Sequence, residues 1–243
     1  MNFGFVIVGW AAWAPGITTP AQWLTWAAAP GLPSGSDVPP LSEMPAMARR
    51  RFNPLGRMAA QVAYACHAGE LGLPVIFASR YGDAARSLDL LGDLARGEPL
   101  SPTAFGLSVH NAIGAMYSIT RGDRANYLSL AAGAGSATAA LVEAAGLLHD
   151  GAPQVMLVCY DAPLPGPYAA FHDEPAAPYA WAWRIALPAP DQPHFRLSAS
   201  RAQGEEGTAP LPLGLDLLRF ALSDDSQVRR AAGPTLWTLQ RHG

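Results

Sequence analysis

The sequence predicts an α/β protein: a mostly parallel, five-stranded type of sheet covered by helices. Three observations predict it. Short apolar runs alternate along the chain with longer stretches whose apolar residues recur at helical spacing. The runs at 5–8 and 155–160 have no polar alternation, as expected of strands buried on both faces. Gly- and Pro-containing turns separate the runs, and no transmembrane-length apolar segment interrupts the pattern.

The elements follow in order. Phe5-Val6-Ile7-Val8 is a buried first strand that ends at Gly9-Trp10, and Pro15-Gly16 is a turn. Residues 21–28 form a short helix whose Trp23 and Trp26 serve as packing anchors, followed by an irregular loop to 42. Arg49, Arg50 and Arg51 give either a solvated helix face or a docking patch for an acidic partner. Asn53-Pro54 opens a helix with Met58, Val62, Ala65 and Cys66 at helical spacing, closed by the glycines of 69–72. Residues 74–79 are a second buried strand, ending in the polar turn Ser79-Arg80-Tyr81-Gly82-Asp83. Residues 84–95 are an amphipathic helix carrying Leu88, Leu91 and Leu94.

The stretch 101–161 organises the chain: helix, strand, tight turn, helix, strand. Ser101-Pro102 starts the first helix, with His110 and Asn111 in its middle. An apolar strand at 126–132 leads into the turn Gly133-Ala134-Gly135-Ser136, and an Ala-rich helix runs to Asp150. A second strand follows at 155–160, then a proline- and aromatic-rich loop to 179. Residues 180–187 alternate large and small, giving a strand with one face buried. Residues 194–200 are a further strand, 202–212 a loop, 215–222 a short helix and 236–239 a last strand.

Composition narrows the function. Half of the 243 residues are hydrophobic, 14% are charged and the net charge is −3, so nothing draws the chain to nucleic acid or a membrane. A weakly polar surface suits a chain that buries area against a partner. Cys66 and Cys159 sit in apolar runs and read as reduced core residues, and the six histidines do not cluster at metal-ligand spacing. No metal and no cofactor is expected. The apolar start lacks a basic leader region, which makes the cytoplasm the expected location.

In α/β proteins, a turn at a strand's carboxyl end that opens a helix is where a reactive group is mounted. Here that turn offers Ala134. Ser136 lacks the flanking glycines of a nucleophile elbow and reads as a first-turn helix residue. His110 reads as a hydrogen-bonded structural residue; His172, His194 and His242 fall in loop or tail contexts. Gly133-Ala134-Gly135 lacks the spacing of a phosphate loop or dinucleotide fingerprint.

Several of these residues together resemble the N-terminal half of a β-ketoacyl synthase of the thiolase-like superfamily. They are Phe5-Val6-Ile7-Val8-Gly9, Ser101-Pro102-Thr103 with Asn111 and Gly114, the strand and turn 128–136, and Gly151 before 155–158. The resemblance spans about residues 1–188. It implies a thiolase-like layered fold in a single domain, 1–243, with 189–243 a divergent C-terminal extension. Aligned from Asn111, the family's catalytic cysteine falls on Ala134, and Gly151 gives the same position from the other side. The two catalytic histidines belong to a C-terminal half that has no match here. The resemblance therefore implies no catalytic residue. It implies a non-catalytic chain length factor, most like the short factors of bacterial aryl polyene clusters, paired with a catalytic ketosynthase subunit and served by an acyl carrier protein.

On the resembled fold, Phe105, His110, Ile113 and Met116 would close the far end of an acyl tunnel; the competing reading makes all four ordinary core. Asn126, Tyr127, Leu128, Ser129 and Leu130 would form the strand that pairs with the partner. Arg49, Arg50 and Arg51 would dock the carrier protein. Two other readings are a hydrolase or acyltransferase rebuilt on Ser136 and His110, and a scaffold that stabilises the synthase.

Overall fold

A computed structural model describes residues 2–67, 69, 71–203 and 209–243. Among these residues, eight strands form one sheet in the order β3-β2-β4-β5-β1-β6-β8-β7. The first five are β1 (Asn2–Trp13), β2 (Val75–Ala78), β3 (Tyr127–Leu130), β4 (Val155–Asp161) and β5 (Tyr179–Ala186). β2 runs parallel to β3 and β4, and β5 is antiparallel to both β4 and β1, so four of these five strands share one direction. The remaining strands, β6 (His194–Arg201), β7 (Gln227–Ala232) and β8 (Thr235–His242), extend the sheet through antiparallel pairings. The fold is α/β as expected, but the whole sheet is mixed rather than mostly parallel.

Helices cover both faces. α3 (Pro54–His67) packs on β1, β4 and β5, and its Met58, Val62 and Cys66 join one core with Phe77, Val158 and Tyr160. α7 (Ser136–His149) packs on β2 and β4 from the other side. Its small residues Ala137, Ala140 and Ala144 let a further layer approach closely. That layer is α1 (Pro20–Ala28) and α8 (Leu213–Leu222), whose Trp23, Leu217 and Phe220 are fully or almost fully buried. The C-terminal segment thus supplies both strands and a helix to the main core. Among the described residues, no helix is long and apolar enough to cross a membrane.

Several expectations need correction. β1 does not end at Gly9-Trp10: a bulge between Ile7 and Gly9 bends it, and the strand continues to Trp13. β5 is buried on both faces, because α3 lies on one side and the α1/α8 layer on the other. β7 carries Arg229 and Arg230 beside a single buried Val228, so its sequence has no clear strand pattern. The helix centred on His110 is two helices, α5 (Pro102–Ser108) and α6 (Ala112–Arg121), because Val109 is extended. Residues 204–208 of the loop at 202–212, and Glu70 of the stop at 69–72, lie outside the described residues. Gly69 and Gly72 themselves are left-handed, as a helix stop allows.

Candidate functional site

The turn from β3 into α7 is built by its own backbone. Gly133 is left-handed, φ 58°, which reverses the chain within three residues. The Ser136 hydroxyl donates to the Gly133 carbonyl at 2.7 Å and accepts from the Ala132 amide at 3.0 Å. The Thr138 hydroxyl donates to the Gly135 carbonyl at 2.9 Å. Both hydroxyls are buried and committed to the turn. Ala134 is half-buried and brings no reactive atom. From the other side, Ala232 at the end of β7 lies against Gly135, where a Cβ would stand 3.3 Å from the Ala232 methyl.

His110 belongs to a second cluster. Its Nε2 lies 2.9 Å from the Ser79 carbonyl, which only accepts, so Nε2 carries the proton. The Ser79 hydroxyl and the Arg80 amide both donate to Asp161 at 2.9 Å. Gly82 is left-handed, φ 58°, and a Cβ there would come within 2.9 Å of the His110 ring, so this glycine lets the ring dock. The Asp161 carboxyl is packed among these groups although the residue keeps some exposure, and burial pushes it up to about 7. No hydrogen bond joins Ser136 to an imidazole among the described residues; the structure does not assemble the pair that a rebuilt hydrolase needs. Cys159 is equally unsuited. It is buried inside β4, 4.0 Å from the Tyr179 hydroxyl, and burial holds its thiol well above the usual range.

The four tunnel candidates separate. Ile113 (7% exposed) and Met116 line one small pocket with Phe52 and Leu107, beneath a rim of Arg51 and Arg86. His110 turns toward β2. Phe105 is 64% exposed on α5, which excludes the reading that all four are core. Gly114 lets α6 sit close to the sheet: a Cβ there would lie 2.9 Å from Phe77 and 3.0 Å from Tyr127. Tyr127, Leu128, Ser129 and Leu130 form β3, one of the two terminal strands of the sheet, with Asn126 exposed before it and β2 as its only neighbouring strand among the described residues. At the end of the short helix α2 (Ala46–Arg49), the Arg49 guanidinium donates to the Pro40 and Leu41 carbonyls at 3.1 and 3.3 Å; Arg50 and Arg51 are exposed.

Sequence reasoning missed two features. Arg80 holds the loop before β5 through ion pairs with Asp173 and with Glu174 (3.0 Å), and the Tyr81 hydroxyl donates to the Phe171 carbonyl at 3.2 Å. The only signal was an arginine ending a buried strand, where a cation needs acids nearby. His194 and His242 are strand residues paired across β6 and β8, with rings stacked at 5.3 Å. Among the described residues, no group of three or more His, Cys, Asp or Glu side chains could hold a metal.

Comparison with known proteins places this architecture. A comparison with curated proteins gives no match. Among solved structures, a chain of the ketosynthase ApeO in complex with its chain length factor ApeC, from Xenorhabdus doucetiae, is similar with a TM-score of 0.84 and 27% identity. The match covers 98% of this chain and 100% of that one. The ishigamide ketosynthase/chain length factor is similar in fold, with a TM-score of 0.62 and 17% identity over 82% of this chain and 67% of that one. A β-ketoacyl synthase from Burkholderia phymatum shares the fold, with a TM-score of 0.58 and 11% identity over 76% and 59% of the two chains. The model of the β-ketoacyl synthase N-terminal domain matches residues 23–240, so the chain belongs to that family.

Proposed function

We propose that this chain is a non-catalytic chain length factor that pairs with a catalytic ketosynthase, the two building a polyketide of aryl polyene type on an acyl carrier protein. The observation that carries the reading is the full-length likeness, in both directions, to a chain of a ketosynthase/chain length factor complex, in a protein whose β3–α7 turn holds Ala134. Thioester chemistry needs a thiolate and a base, and alanine supplies neither. The neighbouring hydroxyls of Ser136 and Thr138 are tied into the turn. What the chain contributes is shape: an unpaired strand edge at β3 and a pocket floored by Ile113 and Met116.

Intact-mass spectrometry after incubation with acyl-loaded carrier protein tests this. A catalytic ketosynthase gains the acyl mass and this chain gains none; the Ala134→Cys variant still makes no condensation product, because the family's two catalytic histidines have no match here. Acyl transfer to the wild-type chain would refute the reading.

A further inference from the structure

α4 (Ala84–Ala95) buries none of its residues within this chain, and neither does α5. The expected amphipathic pattern is present, but it does not face the core. The two helices lean on each other, and the outer stripe stays open: Leu91 is 50% exposed, Leu94 58% and, in the connection to α5, Leu100 46%. An amphipathic helix that fully buries no residue in its own chain is suited to cover something in another. The stripe is also continuous with the free edge of the sheet. α4 packs on α5, α5 on α6 and α6 on β3, and α6 adds Ile119 at 71% exposure.

We propose that the outer face of α4, with Leu91, Leu94 and Leu100, is a second apolar anchor for the catalytic partner that takes β3. The proposal rests on the pairing inferred above and names a further surface for it. Charge favours this occupant over a carrier protein. Arg96 is already bonded to Asp93 at 2.6 Å and Glu98 at 2.8 Å, and Asp89 is exposed on the same helix with no ion pair among the described residues. An acidic carrier would meet like charge here. A partner surface that is apolar with an arginine or lysine at its rim fits both features.

The test uses a catalytic ketosynthase that co-elutes with the wild-type chain after co-expression. Because Leu91 and Leu94 are exposed, the double variant Leu91→Gln/Leu94→Gln should melt as the wild type does, while its affinity for the ketosynthase falls about tenfold or more. Asp89→Lys should weaken binding several-fold, most at low salt. Leu24→Gln, at a 52% exposed site on α1, should bind as the wild type does. Unchanged affinity of the double variant overturns the proposal, as does equal weakening by Leu24→Gln. Loss of a self-dimer in the double variant, with ketosynthase binding intact, assigns the face to a second copy instead. A wild-type chain that binds no ketosynthase refutes the pairing itself, before any variant is compared.

Discussion

Phe105 is the residue at which core and tunnel readings part. Burying a phenylalanine and then truncating it costs about 3–5 kcal/mol, whereas a surface change usually stays within about 0.5 kcal/mol. At 64% exposure, Phe105 falls in the second class within this chain. Phe105→Ala should therefore leave the melting temperature of the isolated chain nearly unchanged. In the complex it should shift products toward longer chains, measured by mass spectrometry of carrier-bound product. Unaltered product length would remove Phe105 from the tunnel. Asp161 makes a different prediction. A carboxyl with a folded pKa of about 7 stays protonated in the fold where the unfolded chain, near 4, has already ionised. The unfolded state binds fewer protons there, so stability falls as pH rises from about 4 to 7 and then levels off. Asp161→Asn keeps an acceptor for Ser79 and Arg80 while removing the charge. It should flatten that dependence and gain about 1–2 kcal/mol near pH 8, the residue's partial exposure tempering the effect. Denaturant melts across that range read both, and an unchanged slope would place the titration elsewhere.

At the scale of elements, β3 is one of the sheet's two terminal strands, β7 being the other. Among the described residues no strand pairs with its outer edge, and an apolar edge of this kind invites pairing with another chain. Leu128 and Leu130 pack partly on the core, so the strand is held in place by its own chain while its far edge stays open. Leu128→Asp should abolish co-elution with the ketosynthase in size-exclusion chromatography, and retention of the complex would show that the partner sits elsewhere. Most elements were legible because their apolar periodicity coincides with burial: α3, β2, α7 and β4 sit close to where their spacing put them. The failures have different causes. The bulge in β1 lies against β5, distant in sequence, whereas β7 pairs with the adjacent β8 across Gly233-Pro234 and was hidden by its arginines. In the site, the lack of a reactive side chain at Ala134 in the β3–α7 turn was legible from one position. The attachment of His110 to Ser79 was not, because it joins residues 31 apart across a helix break. The amphipathic pattern of α4 was legible but not its open stripe: periodicity shows that a face is apolar, not whose core it covers.

For the whole molecule, the central feature is that the C-terminal segment completes the core. α8 and the strands β6 to β8 cover α7 and extend the sheet from the edge of β1. One open flank of the molecule holds β3, α4, α5 and Ile119 of α6. A partner that covers this flank should bury about 2,000 Å² or more in total, as in obligate assemblies. The most direct measurement is reconstitution with a catalytic ketosynthase and an acyl carrier protein, with complex mass and product chain length read together. The account predicts a stable one-to-one complex and products of defined length, with no product from this chain alone. A ketosynthase that makes the same products at the same rate without this chain, or condensation by this chain alone, would contradict it.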